Sequence, residues 1–270
     1  MNRLCAAVEL GIFMGTSKLF DLSGKAAIVT GGGRGLGFAL AEALAEAGCD
    51  LMLCSRKAGN CEEAARELEK LGVTAVGKKC DITDSSDVAE LRDAALKAFG
   101  KIDILINNSG ASWGAPTVDY PLEGWQKVIN VNVTGTFLCC QIIGKSMISE
   151  GKGKIINLSY VFGTVGAPSN VMDAIAYNTS KGAVEAFTRD LAVKWAKHQI
   201  FVNTIAPSFI ETDLTRETMQ KGGSQILDLV PMRRFGVPAD LKGAAIFLSS
   251  AASDYITGTT IYIDGGYRAM

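Results

Sequence analysis

This sequence of 270 residues has little histidine, no closely spaced cysteine pair of the Cys-x-x-Cys type and no excess of charge of either sign. Its only histidine, His198, is predicted to lie on the surface at the end of a helix, and one histidine supports neither a histidine-based triad nor a zinc site. The seven cysteines include no Cys-x-x-Cys pair, so we expect reduced core thiols of a cytoplasmic protein. A formal net charge of -1 gives no electrostatic reason to expect nucleic acid or an anionic membrane as a partner.

The sequence also lacks an apolar run long enough to span a membrane. Residues 1–18 are partly apolar, but Arg3 and Glu9 interrupt them and no clear signal-peptide cleavage site follows. We predict that they form a loose extension, with Met14 as an alternative start of the chain. Residues 19–270 are expected to form one domain, because a hydrophobic content of 48% can build a sizeable core.

Short apolar segments alternate with segments of helical periodicity from Lys25 onward. Strands are predicted at 26–29, 50–54, 74–78, 102–106, 154–158, 201–205 and 260–263, and helices at 36–47, 62–71, 87–99, 125–149, 174–197 and 239–248. Residues 208–235 have a less regular pattern, and we expect them to form a lid over a substrate pocket. Apolar strands separated by helices are buried on both faces. The predicted fold class is α/β, with a doubly wound parallel sheet of about seven strands and helices on both faces.

A glycine cluster follows the first predicted strand, where residues 30–37 read TGGGRGLG. Glycines allow a tight turn and let the backbone approach a pyrophosphate, whose charge is favoured by the free N–H groups at the start of the next helix. A glycine cluster alone also occurs in ordinary strand–helix turns. Its position after the first strand of a β-α-β series favours nucleotide binding.

Tyr177 and Lys181 lie four residues apart in a predicted helix, so both side chains can serve one site. A phenol with a pKa of about 10 is a poor base at neutral pH. A neighbouring ammonium favours the phenolate and makes the tyrosine a usable proton donor or acceptor. The alternative for such a pair is a half-buried ring beside a solvated charge.

Three motifs in this order resemble those of the short-chain dehydrogenase/reductase family: TGxxxGxG at 30–37, NNSG at 107–110 and YxxxK at 177–181. The resemblance covers residues 19–270. It implies a single Rossmann-type domain, an NAD(P)-dependent oxidoreductase acting on CH–OH groups, and a homotetramer. Within the family, the chain is similar to bacterial 3-oxoacyl-carrier-protein reductases and gluconate 5-dehydrogenases.

The resemblance also implies roles for individual residues. Tyr177 would transfer the proton, Lys181 would lower the pKa of Tyr177 and hold the ribose hydroxyls, and Asn132 would keep a relay water in place. The residues implied at the cofactor are Gly31, Gly33, Arg34, Gly35, Leu36, Gly37, Ser55, Arg56, Asp81, Ile82, Asn108, Gly110, Tyr177, Lys181, Pro207, Ile210 and Thr212.

One position departs from the family's pattern. The family's catalytic serine, which donates a hydrogen bond to the substrate oxygen, falls on Tyr160, and Ser159 precedes it. Consecutive side chains of a strand face opposite sides, so the serine can replace the usual donor only if the strand ends or bulges there. We expect the strand to end at Leu158 and Ser159 to turn toward the nicotinamide, with the Tyr160 hydroxyl as the alternative.

The residues after the second strand bear on the choice of cofactor. An acidic residue there would hold the adenosine 2′-hydroxyl and repel a 2′-phosphate, but the sequence has Ser55 and Arg56. Arg34 in the glycine cluster is a second guanidinium, and two guanidiniums can clamp a phosphate. NADP(H) is therefore favoured over NAD(H), unless both arginines are ordinary surface residues.

The predicted function is hydride transfer between NADP(H) and a secondary alcohol or ketone. An apolar or mixed substrate is expected, because large apolar side chains occur in the segments predicted to surround the pocket: Trp113, Phe209, Leu214 and Met219. The alternative is a catalytically weak, nucleotide-binding partner or regulatory subunit, which Tyr160 favours and the retained Tyr-Lys pair disfavours. A nucleic-acid binder has no support, because the sequence has no basic stripe.

Overall fold

The computed structural model describes residues 15–212 and 215–270. Most of the predicted extension lies outside the described residues, as does Leu214 of the predicted lid. Within the described part, Thr16–Phe20 form a short 3-10 turn before the first strand.

Over the described residues, seven parallel strands form one sheet in the order β3-β2-β1-β4-β5-β6-β7. They are β1 Ala26–Thr30, β2 Asp50–Ser55, β3 Ala75–Lys79, β4 Ile104–Asn107, β5 Gly153–Leu158, β6 Ile200–Pro207 and β7 Thr260–Ile263. The predicted doubly wound parallel sheet is confirmed. The strand order reverses between β1 and β4, and such sheets bind ligands in the crevice that this reversal opens at the carboxyl ends of the strands.

Helices cover both faces of the sheet. In the described part of the chain the α-helices are α1 Gly35–Glu46, α2 Ala58–Glu69, α3 Ser85–Phe99, α4 Leu122–Ile129, α5 Thr136–Glu150, α6 Ile175–Trp195, α7 Arg216–Asp228 and α8 Ala239–Ser249. Helices α1, α2 and α8 bury one face of the sheet, and α3, α5 and α6 bury the other. The period of two along each strand supplies both layers: Ala27 and Val29 of β1 face the first core, and Ile28 faces the second.

Two elements differ from the prediction. The expected single helix at 125–149 is divided into α4 and α5 by a π-helical turn, Asn130–Gly135. The segment 208–235 contains α7, although its sequence has no clear helical pattern and includes Gly222-Gly223. Both differences lie beside the predicted site.

The described cysteines are free and buried: Cys49, Cys54, Cys61, Cys80, Cys139 and Cys140. They pack in the two cores on either side of the sheet. Over residues 15–212 and 215–270, no cluster of histidine, cysteine, aspartate and glutamate could hold a metal ion. Within the same ranges, no helix has both the length and the apolar character needed to cross a membrane.

Candidate active site

A cavity of about 980 Å³ opens at the carboxyl ends of the strands, where the glycine loop and the end of β4 meet. All the residues expected at the cofactor border it: Gly31, Gly33, Arg34, Gly35, Leu36, Gly37, Ser55, Arg56, Asp81, Ile82, Asn108, Gly110, Tyr177, Lys181, Pro207, Ile210 and Thr212. Ser159 and Tyr160 border it as well, whereas Asn132 is buried and does not. The fold therefore assembles segments that are far apart in the sequence into one site.

The glycine loop is packed closely against the end of β4. Gly31 and Gly35 have left-handed backbones, with φ of 66° and 57°. A Cβ atom on Gly37 would lie 2.1 Å from the Gly31 carbonyl oxygen. Asn108 holds the loop, because its Nδ2 donates to the carbonyl oxygens of Thr30 at 3.0 Å and of Gly31 at 3.2 Å. Asn108 thus supports the loop, and its expected contact with the cofactor stays a prediction.

The start of α1 has room for an anion. The helix begins directly after Arg34, and no side chain among the described residues caps its first N–H groups. Uncapped N–H groups at a helix start bind phosphate oxygens, and the helix dipole adds to this attraction. The loop and helix start therefore fit the pyrophosphate of a dinucleotide.

Basic side chains border the end of the cavity beside β2. Arg34 and Arg56 are exposed, and neither pairs with a carboxylate in the described part of the chain. Lys57 borders the same cavity and was not predicted, although it directly follows Arg56 in the sequence. Unpaired guanidiniums beside a pyrophosphate site fit a further phosphate group.

Asp81 follows β3 at the same end of the cavity. Its Oδ1 accepts hydrogen bonds from the Thr83 backbone N–H at 3.0 Å and from Thr83 Oγ1 at 2.8 Å. Among the described residues, its Oδ2 has no hydrogen-bond partner. The expected role of Asp81 at the adenine remains a prediction, and a carboxylate oxygen is available for it.

Tyr177 and Lys181 lie one turn apart on α6. Lys181 Nζ is 5.4 Å from the centroid of the Tyr177 ring and donates to the Leu158 carbonyl oxygen at 2.7 Å. Burial raises the pKa of Tyr177 to about 12 and lowers the pKa of Lys181 to about 8. The pKa of Tyr177 is thus raised by burial in this structure, and the expected lowering of that pKa by the Lys181 ammonium stays a prediction. The phenol is neutral at pH 7 and is a proton donor.

Asn132 lies in the π-helical turn between α4 and α5. Its Nδ2 donates to the Ala111 carbonyl oxygen at 3.0 Å and to Ser180 Oγ at 2.9 Å, and its Oδ1 accepts from the Ala111 N–H at 2.7 Å. Ser180 Oγ in turn donates to the Tyr177 carbonyl oxygen at 2.6 Å. Asn132 thus links the loop after β4 to the helical turn that carries Tyr177, and its expected contact with a relay water stays a prediction.

Ser159 does not direct its hydroxyl into the cavity. Strand β5 ends at Leu158, as predicted, but Tyr160 keeps an extended backbone with φ of -159° and ψ of 149°. The alternation of the strand therefore continues past its last residue. Ser159 Oγ lies 2.9 Å from Glu185 Oε1 and 3.0 Å from the Lys181 carbonyl oxygen, and a serine has a single O–H to donate. The preference for Ser159 as the substrate's donor is wrong, because α6 uses that hydroxyl.

Tyr160 belongs to an aromatic cluster formed by Tyr160, Phe162, Tyr177, Phe209 and Tyr267. Its ring centroid lies 5.5 Å from that of Tyr177, 5.4 Å from that of Phe162 and 6.5 Å from that of Phe209. Every contact within the cluster is edge-to-face, the geometry that aromatic quadrupoles favour. Tyr160, Tyr177 and Phe209 of this cluster border the cavity and form an aromatic part of its wall.

The residues expected to give the pocket an apolar character separate into two groups. Phe209 and Met219 border the cavity. Trp113 does not border it, because its ring packs against Gly124 of α4, with Lys127 Nζ 5.4 Å from the ring centroid. The inference from Trp113 to the substrate is therefore wrong.

Sequence reasoning missed Glu185 and several residues that border the cavity, among them Lys57, Asn60, Thr83, Ser109, Lys127, Asn130, Ser208 and Thr215. The spacing of Glu185 in the sequence could have identified it. It follows Tyr177 by eight residues and Lys181 by four, which places all three on one face of a helix.

Comparisons with known proteins agree with this geometry. A family model described as Enoyl-(Acyl carrier protein) reductase matches residues 31–268. The chain is 40% identical over 261 residues to a 2-dehydro-3-deoxy-D-gluconate 5-dehydrogenase of Dickeya dadantii, covering 93% of this chain and 98% of that protein. It is 35% identical to an NAD-dependent glycerol dehydrogenase of Listeria innocua, covering 94% and 98% of the two chains. A crystal structure of a gluconate 5-dehydrogenase from Burkholderia cenocepacia, in complex with NADP and tartrate, matches with a TM-score of 0.89 and 34% identity, covering 95% of this chain and 100% of that one.

The fold and the site together define an oxidoreductase that uses a nicotinamide dinucleotide and acts on CH–OH groups or the corresponding carbonyls. The chain belongs to the short-chain dehydrogenase/reductase family. The predicted family, the enzyme class and the similarity to gluconate 5-dehydrogenases are confirmed.

Proposed function

We propose that this chain transfers a hydride between NADP(H) and a secondary alcohol or ketone of a sugar acid or sugar alcohol. The observation that carries the proposal is the Tyr177–Lys181 pair, which borders the same cavity as the glycine loop. The named relatives support the substrate class, since they are dehydrogenases of gluconate derivatives and of glycerol. Aromatic rings such as Tyr160 and Phe209 are compatible with the C–H faces of a sugar chain.

Each residue of the site has a separate role in the reaction. A bound nicotinamide supplies or accepts the hydride. In reduction, Tyr177 donates its proton to the carbonyl oxygen, and its neutral state in this structure suits that direction. Lys181 would hold the ribose hydroxyls. Asn132 holds Ser180 and, through it, the helical turn that carries Tyr177.

A substrate panel tests the proposal. NADPH oxidation would be followed with keto-gluconates, ketoses, simple apolar ketones and 3-oxoacyl thioesters at equal concentrations. We expect the highest kcat/KM with the keto-gluconates or ketoses. Turnover of apolar ketones or thioesters alone would overturn the substrate class. Tight NADPH binding without turnover of any compound would favour the nucleotide-binding partner subunit.

Arg34 and Arg56 predict a preference between the two cofactors. Their unpaired charges would attract the 2′-phosphate, so we expect kcat/KM with NADPH to exceed that with NADH by about tenfold or more, which corresponds to about 1.4 kcal/mol. The double variant Arg34→Ala/Arg56→Ala should bring the two values together, whereas Arg92→Ala, in an exposed pair with Asp93, should change neither. Equal efficiency of the unaltered enzyme with both cofactors would show that the two arginines do not select the phosphate.

We also propose that the chain assembles as a homotetramer. Strand β7 lies at the edge of the sheet, and its residues Thr260–Ile263 are all only half-buried. Val193 of α6 and Phe137 of α5 also expose apolar surface, which commonly marks a contact between subunits. Light scattering at micromolar concentration is expected to give four times the mass of 28.5 kDa, and a monomer mass would contradict the assembly.

The free, buried cysteines support a reducing, cytoplasmic location.

Residues 208–235 are proposed to cover the substrate within the single domain 19–270. Phe209, Met219, Ile226 and Val230 of this segment pack with Phe162 next to the cavity. Its two ends are joined by a parallel bridge between Ile210 and Gly236. A segment that is closed at its base and packed on the reacting end is suited to exclude water.

A further inference from the structure

Glu185 of α6 fixes the end of β5 through a hydrogen bond with Ser159. Its side chain is 1% exposed. Oε1 accepts from Ser159 Oγ at 2.9 Å, and Oε2 accepts from Tyr262 OH at 2.9 Å and from Thr260 Oγ1 at 3.3 Å. A buried carboxylate needs such hydrogen bonds, so its hold on Ser159 is costly to break. The backbone after Leu158 is therefore not free to rotate.

Because Ser159 faces α6, the next side chain must face the cavity. Tyr160 does so, and its ring is held edge-to-face by Tyr177, Phe162 and Phe209. No group in the described part of the chain forms a hydrogen bond with its hydroxyl. Burial raises the pKa of Tyr160, so that the hydroxyl carries its proton at neutral pH. A phenol whose O–H has no partner among the described residues thus packs against the ring of the proposed proton donor.

We propose that Tyr160 is a second catalytic hydroxyl, which donates a hydrogen bond to the reacting oxygen of the substrate, and that the Ser159–Glu185 pair is the device that positions it. The proposal rests on the proposed function. During reduction the carbonyl carbon gains a hydride, its oxygen gains the proton of Tyr177, and Tyr160 keeps its own proton throughout. Tyr160 stabilises the negative charge that develops on the oxygen.

A phenol at this position also affects where the substrate binds. The hydroxyl of tyrosine lies several ångströms farther from its backbone than that of serine. The reacting oxygen would therefore bind farther from the end of β5, beside the aromatic rings. The rings of Tyr160 and Tyr177 are in edge-to-face contact, with centroids 5.5 Å apart, so the substrate must reach their hydroxyls from the cavity that both residues border.

The test removes only the hydroxyl. Tyr160→Phe keeps the ring and its edge-to-face contacts, so we expect kcat/KM on the best substrate of the panel to fall about 10²-fold. The Kd for NADPH, measured by fluorescence titration, is expected to stay within about twofold of wild type. The midpoint of thermal unfolding should not fall, because a hydroxyl without a partner contributes no folded-state hydrogen bond.

Tyr267→Phe is the matched control. It removes a hydroxyl from the same aromatic cluster at a residue that does not border the cavity, and its kcat/KM should stay within about threefold of wild type. Wild-type kcat/KM in Tyr160→Phe would overturn the proposal. A loss of activity that is accompanied by weaker NADPH binding and a lower unfolding midpoint would also overturn it, because the hydroxyl would then be structural.

A double-mutant cycle tests the positioning pair. Ser159→Ala is expected to lower kcat several-fold with little change in KM, because Tyr160 is then held less firmly. In the Tyr160→Phe background the same change should have no further effect on kcat. A full additional loss there would show that Ser159 does not act through Tyr160.

The outcome can be separated from that of the proposed function. If the unaltered enzyme turns over no carbonyl compound, or if Tyr177→Phe is fully active, the proposed function fails and with it this inference. If the unaltered enzyme is active, Tyr177→Phe is inactive and Tyr160→Phe equals wild type, only the inference about Tyr160 fails.

Discussion

Tyr177→Phe is expected to lose about 10³-fold in kcat/KM, equivalent to about 4 kcal/mol of transition-state stabilisation. The substitution removes the proton that the carbonyl oxygen must gain, and it leaves the ring that packs against Tyr160 in place. Tyr160 cannot replace the lost donor, because burial raises its pKa even further and opposes the formation of a phenolate. Binding of NADPH should stay within about threefold of wild type, since the glycine loop and the basic side chains are untouched.

The measurement pairs steady-state kinetics with a fluorescence titration of NADPH. Tyr255→Phe serves as the control, because Tyr255 is fully exposed and lies outside the cavity. Its kinetic constants should equal those of wild type. A Tyr177→Phe enzyme with even a tenth of the wild-type kcat/KM would refute the role of Tyr177 as proton donor.

The parts of the site that could be predicted are those that depend on local backbone chemistry. The glycine loop is such a part, because Gly31 and Gly35 occupy left-handed conformations that other residues rarely adopt. The Tyr177–Lys181 pair is another, since positions four apart on a helix share a face whatever the rest of the fold does. The parallel sheet follows from apolar strands separated by helices, and its order places both parts at one edge.

Three features depended on contacts that no local pattern records. The π-helical turn at Asn132 adds one residue to a helix whose apolar pattern continues on both sides, so the sequence predicts one helix. The direction of the Ser159 side chain depends on Glu185, which lies 26 residues away in the sequence and accepts a hydrogen bond from the Ser159 hydroxyl. The pKa of Tyr177 depends on how deeply the assembled site buries the phenol, and that burial raises it.

Gly37→Ala is expected to weaken NADPH binding about 10²-fold or more, which corresponds to about 2.8 kcal/mol. The new Cβ would lie 2.1 Å from the Gly31 carbonyl oxygen and 2.4 Å from Asn108 Nδ2. Neither atom can move alone, because Asn108 Nδ2 donates to that same carbonyl and to the Thr30 carbonyl oxygen. The glycine loop must shift as a unit, away from the geometry in which its backbone meets the pyrophosphate.

The same crowding should lower stability. Overpacking typically costs about 1–3 kcal/mol, and for a chain of this size each kcal/mol corresponds to about 2–4 °C in the unfolding midpoint. Gly243→Ala is the matched control: Gly243 is an exposed position within α8, and a Cβ there would meet no atom within 4 Å. Alanine in a helix interior is favoured over glycine by about 0.5–1 kcal/mol, so this variant should unfold at a slightly higher temperature and bind NADPH as wild type does. If Gly37→Ala instead behaved like Gly243→Ala in both measurements, the close approach of α1 to the glycine loop would not be what shapes the cofactor site.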